Sequence, residues 1–268
     1  MKSRFPRLAA IAVAAALAAP IASAHNFWML PSSTVLSKGE WITVDAAVAN
    51  DLFYFNHVPL QLDNLVITAP DGSTVAAENK HRGKLRSVFD VNLTQNGTYR
   101  LAVANHGVFA SYKLNGERKR WRGNPANLEK EIPAGAEELV VTESVGRLET
   151  FVTVGKPSGY KPVGVGLELL PVTHPNDLVS GEPATFQLTI DGKPAAELDV
   201  VLVQGGTRYR DKLAEIKLKT GADGRFTVKW PGPGMYWLDT DFEDDRTSVK
   251  QATKRRLSYV ATLEVMPQ

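Results

Sequence analysis

The chain has 268 residues, 43% of them hydrophobic, with 31 Lys and Arg against 29 Asp and Glu and no cysteine. The missing cysteine excludes disulfides, thiolate zinc sites, iron–sulfur clusters, thiol nucleophiles and a lipoprotein anchor. The near balance of charge argues against general nucleic-acid binding, which wants a strongly basic face.

Lys2, Arg4 and Arg7 precede an apolar run from Leu8 to Ala19, Pro20 breaks it, and Ala22-Ser23-Ala24 has the small-x-small pattern of a signal-peptidase site. The run is 12 residues long, whereas a membrane-spanning helix needs about 20. Residues 1–24 therefore read as a cleaved secretory signal. The mature protein is then periplasmic, is not embedded in the membrane, and begins at His25. Three of the 31 basic residues leave with the signal, so the mature chain carries 28 against 29 acidic.

After His25 the chain reads as strands and turns. Trp41 to Val48 alternates roughly in and out, Leu65 to Thr68 ends at the turn Pro70-Asp71-Gly72, and Val88 to Leu93 alternates with period two. Asn96-Gly97 separates that run from Thr98 to Ala104, and Leu139 to Val154 is a further β-rich run. Residues 156–166 are rich in Gly and Pro without periodicity and read as a linker. Beyond it, Thr185 to Ile190 meets the tight turn Asp191-Gly192, and Leu198 to Val203 follows. Arg225 to Trp230, Gly234 to Asp239 and Ser258 to Val265 complete roughly seven strands. No segment keeps a 3.6-residue stripe over three turns. The pattern predicts an all-β protein of two Ig-like or prealbumin-like β-sandwich domains, residues 25–155 and 167–268. Two charged stretches, Glu117 to Arg122 and Asp241 to Arg256, read as solvated loops.

Several phrases resemble the DUF4198 family of exported bacterial proteins. His25-Asn26-Phe27-Trp28-Met29-Leu30-Pro31 is similar to its mature start, and Leu167-Glu168-Leu169-Leu170-Pro171 with Pro175 to its entry into the second domain. Asp191-Gly192-Lys193-Pro194, Thr220 to Phe226 and Gly234-Met235-Tyr236-Trp237 resemble its later turns and closing strand. Some relatives look like periplasmic accessory components of nickel or cobalt uptake, so the resemblance implies metal handling.

The five histidines are the strongest first-row metal donors here apart from carboxylates. A mature N-terminal His25 offers an α-amine, with an ordinary pKa near 7.7–8.0, and an imidazole in one chelate. A third imidazole would make a histidine brace for Cu(II) or Ni(II); cobalt is the third candidate ion. His57, in the aromatic-rich stretch Asn50 to Pro59, and His174, where the linker delivers the chain to the second domain, are the expected partners. His106, between Asn105 and Gly107, reads as a turn residue, and His81 sits among cations that repel a metal. There is no Gly-x-Ser-x-Gly elbow and no P-loop, which disfavours a hydrolase.

Three readings follow. The first is a periplasmic protein that captures or delivers a transition metal. The second is a metal-free binding or scaffolding module for a membrane transporter or outer-membrane receptor. The third, the least supported, is a copper-dependent oxidative enzyme.

Overall fold

The computed structural model describes residues 26–268; the signal stretch and His25 lie outside them. Those residues build a nearly all-β structure of three layers. One outer sheet orders Asn26–Pro31, Trp41–Ala49, Ser87–Asn92 and Glu78–Arg82, with Val58–Pro59 also paired to Trp41–Ala49. The central sheet has ten strands. Its middle is Gly234–Asp244, Lys254–Val265, Glu137–Val154 and Gly97–Leu114, in that order. The second outer sheet is built on Pro183–Ile190, flanked by Leu167–Pro171 and Arg225–Lys229. Among the described residues helix is confined to Leu128–Glu131 and two 3-10 turns.

Side-chain alternation shows why there are three layers. Successive residues of a strand point to opposite faces. In Glu137–Val154, Leu148, Val152 and Val154 enter one core, while Phe151 enters the other. In Asp199–Gln204, Val203 goes to the first core and Val200 and Leu202 to the second. Trp237 and Val260 pack to the first core, and their neighbours Tyr236, Leu238, Tyr259 and Ala261 to the second. Runs such as Val200 to Val203 are apolar throughout because both faces are covered. The first core otherwise draws on residues 28–154 and the second on 167–265. A parallel pairing, Thr142 to Thr150 alongside Lys254 to Thr262, makes one continuous sheet of the two halves.

The turns behave as their residues dictate. Asp191 and Gly192 both have positive φ, 51° and 75°, the two-residue hairpin geometry that favours this pair. Gly224, at φ 75°, is irreplaceable for a second reason: a Cβ there would sit 2.5 Å from the Leu188 carbonyl oxygen.

Both charged stretches depart from the sequence expectation. Glu117–Gly123 is a strand, paired antiparallel to residues 108–114. Residues 108–113 also pair on their other side with 137–143, so Glu117–Gly123 is the edge of a three-stranded extension of the central sheet, and its polar side chains hide its periodicity. Within 241–256, the ends are strand, since Gly234–Asp244 and Lys254–Val265 pair as far as Asp244 and Arg255. Arg255 there bridges Asp191 and Asp244, both at 2.8 Å, tying the second outer sheet's turn to the central sheet. Its guanidinium hydrogen bonds bring the Asp244 carboxyl down to about 2, against some opposition from burial.

Residues 156–166 run as a strap fixed by a buried charge network. Glu149 is fully buried on the second-core face. It accepts hydrogen bonds from Arg147 (2.9 Å) and the Tyr259 hydroxyl (2.8 Å), with Arg100 at 3.7 Å. Arg100 also pairs with Glu168 at 3.2 Å and lies over the Tyr160 ring. Glu168 accepts the backbone N–H groups of Val163 (2.7 Å) and Gly164 (3.0 Å). The Tyr160 ring stacks on Phe151, and its hydroxyl donates to the Leu169 carbonyl. Burial, followed by the Glu149 charge, holds the Tyr160 and Tyr259 hydroxyls well above the usual tyrosine range.

Truncating one member of a buried ion pair leaves its partners uncompensated and costs about 3–5 kcal/mol. Arg100→Ala is therefore expected to destabilise the protein by about that much in urea unfolding. A loss below about 1 kcal/mol, the range of a solvated surface pair, would show that water reaches the network.

Candidate functional site

The outer layers are offset, and each leaves part of the central sheet bare. On the first-core face the strand Gly234–Asp244 emerges from beneath the N-terminal sheet. The Trp237 indole donates to the Phe27 carbonyl oxygen at 3.2 Å and is buried. Asp239, two residues on, is half-buried, and the Asp241 side chain is about half covered, 49% exposed. A cleft of about 600 Å³ opens there. Val103, Leu148 and Trp237 contribute its apolar lining, Asn26 and Val58 come from the outer sheet, and Arg82 and Arg122 also border it.

Asp239 makes no hydrogen bond or ion pair with the described residues. Burial, then repulsion from Asp241, raises its carboxyl to about 7, with Arg256 opposing. Asp241 itself is raised by burial, with Arg256 at 3.8 Å opposing. An unpartnered carboxyl with a displaced pKa in a cleft is a functional-site candidate.

The sequence-derived histidines fall as follows. His25 lies outside the described residues, but it is bonded to Asn26, which lines the cleft. His57 is exposed and directly precedes Val58, another lining residue. Asn26 pairs with Ala49, and Val58 with Val48 on the other side of the same strand. The two flanks are thus about two strand spacings, ~10 Å, apart. The aromatic stretch before His57 packs on buried Trp28, through Phe53 at 5.6 Å and Phe55 at 5.4 Å.

His174 lies elsewhere, near the far end of the long strands and on the other face of the central sheet. Its Nδ1 accepts the Asn176 backbone N–H at 3.1 Å. Its Nε2 lies 2.9 Å from the Thr98 hydroxyl and 3.2 Å from the Ser158 carbonyl oxygen. The Thr153 hydroxyl donates to Asn176, so Thr98 donates to Thr153 and accepts from the Ser158 N–H and from His174. That order of donors requires a neutral ring protonated at Nε2, with no free lone pair. Among the described residues no three His, Asp or Glu side chains gather as a metal site.

His106 is not in a turn. It occupies the middle of the 18-residue strand Gly97–Leu114, where Asn105 and Gly107 hide the strand signal. On the second-core face it borders another cleft, of about 370 Å³. Its Nε2 lies 2.7 Å from Glu143, which also accepts the Ser248 hydroxyl (2.5 Å) and N–H (2.6 Å). Burial pushes the Glu143 carboxyl up, but these hydrogen bonds hold it below the usual range. The group is no nucleophilic triad: the carboxylate, not the imidazole, takes the serine proton. The sequence could not have signalled it, because Glu143 and Ser248 are 105 residues apart.

A three-layer β-sandwich with a ligand-sized cleft beside its first described strand is the class these features define. The chain belongs to the DUF4198 family, described as a domain of unknown function, which matches residues 22–244. No curated protein matches the sequence. Among solved structures, the D0-D1 domain of intimin is 12% identical, covering 89% of this chain and 97% of its own, with a TM-score of 0.23. A DUF4785 family protein from Legionella pneumophila is 10% identical, with 79% and 50% covered and a TM-score of 0.25. Salmonella alpha-2-macroglobulin is 13% identical, and the match takes in 89% of this chain but 15% of that one, at a TM-score of 0.23. Scores this low assign no function, and the fold stands on its own strand pairing. Among the described residues no helix is long and apolar enough to cross a membrane.

Burial, more than the opposing Ser158 and Asp177, lowers the His174 pKa below 6.5. The unfolded chain therefore takes up this proton first as pH falls. The stability that a neutral His174 contributes is complete above pH 6.5 and is lost progressively below it. NMR titration should give a His174 midpoint below 6.5. Between pH 7.5 and 5, the unfolding midpoint of wild type should also fall relative to His174→Gln. An imidazole titrating at or above 6.5 would contradict the neutral assignment.

Proposed function

We propose that the protein is an exported, periplasmic metal-binding protein. It captures or delivers a copper, nickel or cobalt ion at the first-face cleft, for a membrane transporter or receptor to take up. One observation carries this reading: Asn26, Val58 and Asp239, which is unpartnered among the described residues, line the same cleft. Removal of the signal after Ala24 would put a free amine and an imidazole on the residue bonded to Asn26. His57 directly precedes the lining residue Val58, and Asp239 offers an oxygen donor.

The chemistry of the donors suits the ion. An imidazole, an amine and a carboxylate match the preferences of Cu(II) and Ni(II). A cation beside Asp239 would relieve the repulsion between the two aspartates, which Arg256 offsets only in part. His174 has no place in the site, because both ring nitrogens are committed. Processing would also act as a switch. With Ala24 attached, the His25 nitrogen is a planar amide and a poor donor, so tight binding would await export.

Two forms test this, one beginning at His25 and one carrying a single extra alanine. Competition with a chelator should show copper and nickel bound at least about tenfold more weakly by the extended form, the equivalent of about 1.4 kcal/mol. The apo-protein midpoints should be equal. Asp239→Ala and His57→Ala should each weaken binding in the His25 form, and His174→Gln should not. Equal affinities in the two forms would remove the amine from the site. No binding by either would favour the metal-free scaffolding reading.

A further inference from the structure

We propose that the edge strand Glu117–Gly123 takes up an extended acidic segment of another protein as an additional antiparallel strand. The edge is seven residues long and pairs on one side only, with residues 108–114. Its loop is Asn115-Gly116, with φ of 52° and 80°, a two-residue hairpin turn. The residues that close such a turn, Leu114 and Glu117, exchange both backbone hydrogen bonds, and bonded and unbonded pairs alternate from there. Glu117, Lys119, Trp121 and Gly123 therefore direct their N–H and C=O groups inward. Those of Arg118, Arg120 and Arg122 point outward, where no described residue bonds to them.

The same alternation sets the three arginine side chains on one face of the sheet. Arg122 lies there over the Phe109 ring, 4.9 Å from its centre. Lys113 and Arg118 share the carboxylate of Glu138, at 2.5 and 3.2 Å. Arg120 and Arg122 have no carboxylate partner among the described residues, and both are exposed. The positions with open backbone groups are thus also the positions with surplus positive charge.

A strand laid antiparallel along this edge would exchange its hydrogen bonds with Arg118, Arg120 and Arg122. Its side chains at every second position would then stand directly across from the three guanidinium groups. Opposite charges in such pairs are stabilising, and like charges are destabilising. Charge on an exposed edge ordinarily keeps other strands away. Here it keeps away a second copy of this chain, because antiparallel pairing of two identical edges would set arginine against arginine. An acidic strand matches both the backbone and the charge, which is recognition by strand addition. The pairing does not depend on an ion in the first-face cleft.

Fluorescence anisotropy with the full mature chain at low ionic strength tests the proposal. The probe is a labelled peptide that alternates Glu and Thr over the length of the edge, compared with one that alternates Lys and Thr. The acidic peptide is expected to bind at least about tenfold more tightly than the basic one. N-methylation of its Glu residues, whose N–H groups would face the edge, should abolish binding. N-methylation of its Thr residues, whose N–H groups would face away, should not. Arg120→Glu should weaken binding by about fivefold or more, with an unchanged thermal midpoint. Equal binding of the two N-methylated peptides would reduce the effect to charge attraction and overturn the added strand. Binding of phosphatidylglycerol vesicles in place of the peptide would overturn it in favour of a lipid-phosphate surface. No binding of the acidic peptide, or binding undiminished by Arg120→Glu, would remove this edge as the site.

Discussion

Glu149 is the residue on which the architecture turns. It sits without solvent contact on a strand whose two faces serve different cores, and a carboxylate in that position must be compensated. Arg100, Arg147 and the Tyr259 hydroxyl supply the compensation from three other positions of the central sheet. Arg100 then reaches Glu168, the second residue of the second half's opening strand. Two arginines and two glutamates balance, so the buried network carries no formal charge. Through Glu168 it also gathers the backbone of the strap, which could not otherwise pair with a sheet. The network thus ties residues 156–166 to the sheet that the pairing of Thr142–Thr150 with Lys254–Thr262 makes continuous across the halves.

From that join follows the offset of the outer layers. The long strands Gly97–Leu114 and Glu137–Val154 are 18 residues each, far longer than the strands laid over them. Each outer sheet therefore covers only part of the central one, and a cleft opens on each face. The two clefts differ in chemistry. On the second-core face Glu143 is saturated by His106 and Ser248. On the first-core face, among the described residues, Asp239 has no hydrogen-bond or ion-pair partner and Arg82 and Arg122 have no carboxylate. The unbalanced cleft is also the one reached by the start of the described chain, which gives the N-terminal residue its importance.

Much of this fold was legible in the sequence. Trp41–Ala49 and Ser87–Asn92 alternate because one face of their sheet is buried and the other is wetter. Asp191-Gly192 announces its hairpin because few other pairs tolerate positive φ twice running. His106 and Glu117–Gly123 were not legible. Glu117–Gly123 is the edge of a sheet extension that packs a small core of its own around Val108, Ala110 and Val141, and Trp121 is its one side chain packed there, so period two does not show. The runs Val200 to Val203 and Tyr259 to Ala261 read as strands, but nothing local says that their two faces belong to two different cores.

The sequence by itself determined the all-β class, the absence of thiol and disulfide chemistry and the positions of the principal turns. These depend on composition and on backbone preferences that act within a few residues. Only the tertiary structure decided that the halves share a sheet, that His174 is spent on Asn176, Thr98 and Ser158, and that Asp239, unpartnered among the described residues, lines a cleft with Asn26. Each of these is a contact between residues distant in the chain. A side chain's free lone pair or unbalanced charge is defined by what the fold brings to it, and local sequence carries no record of that.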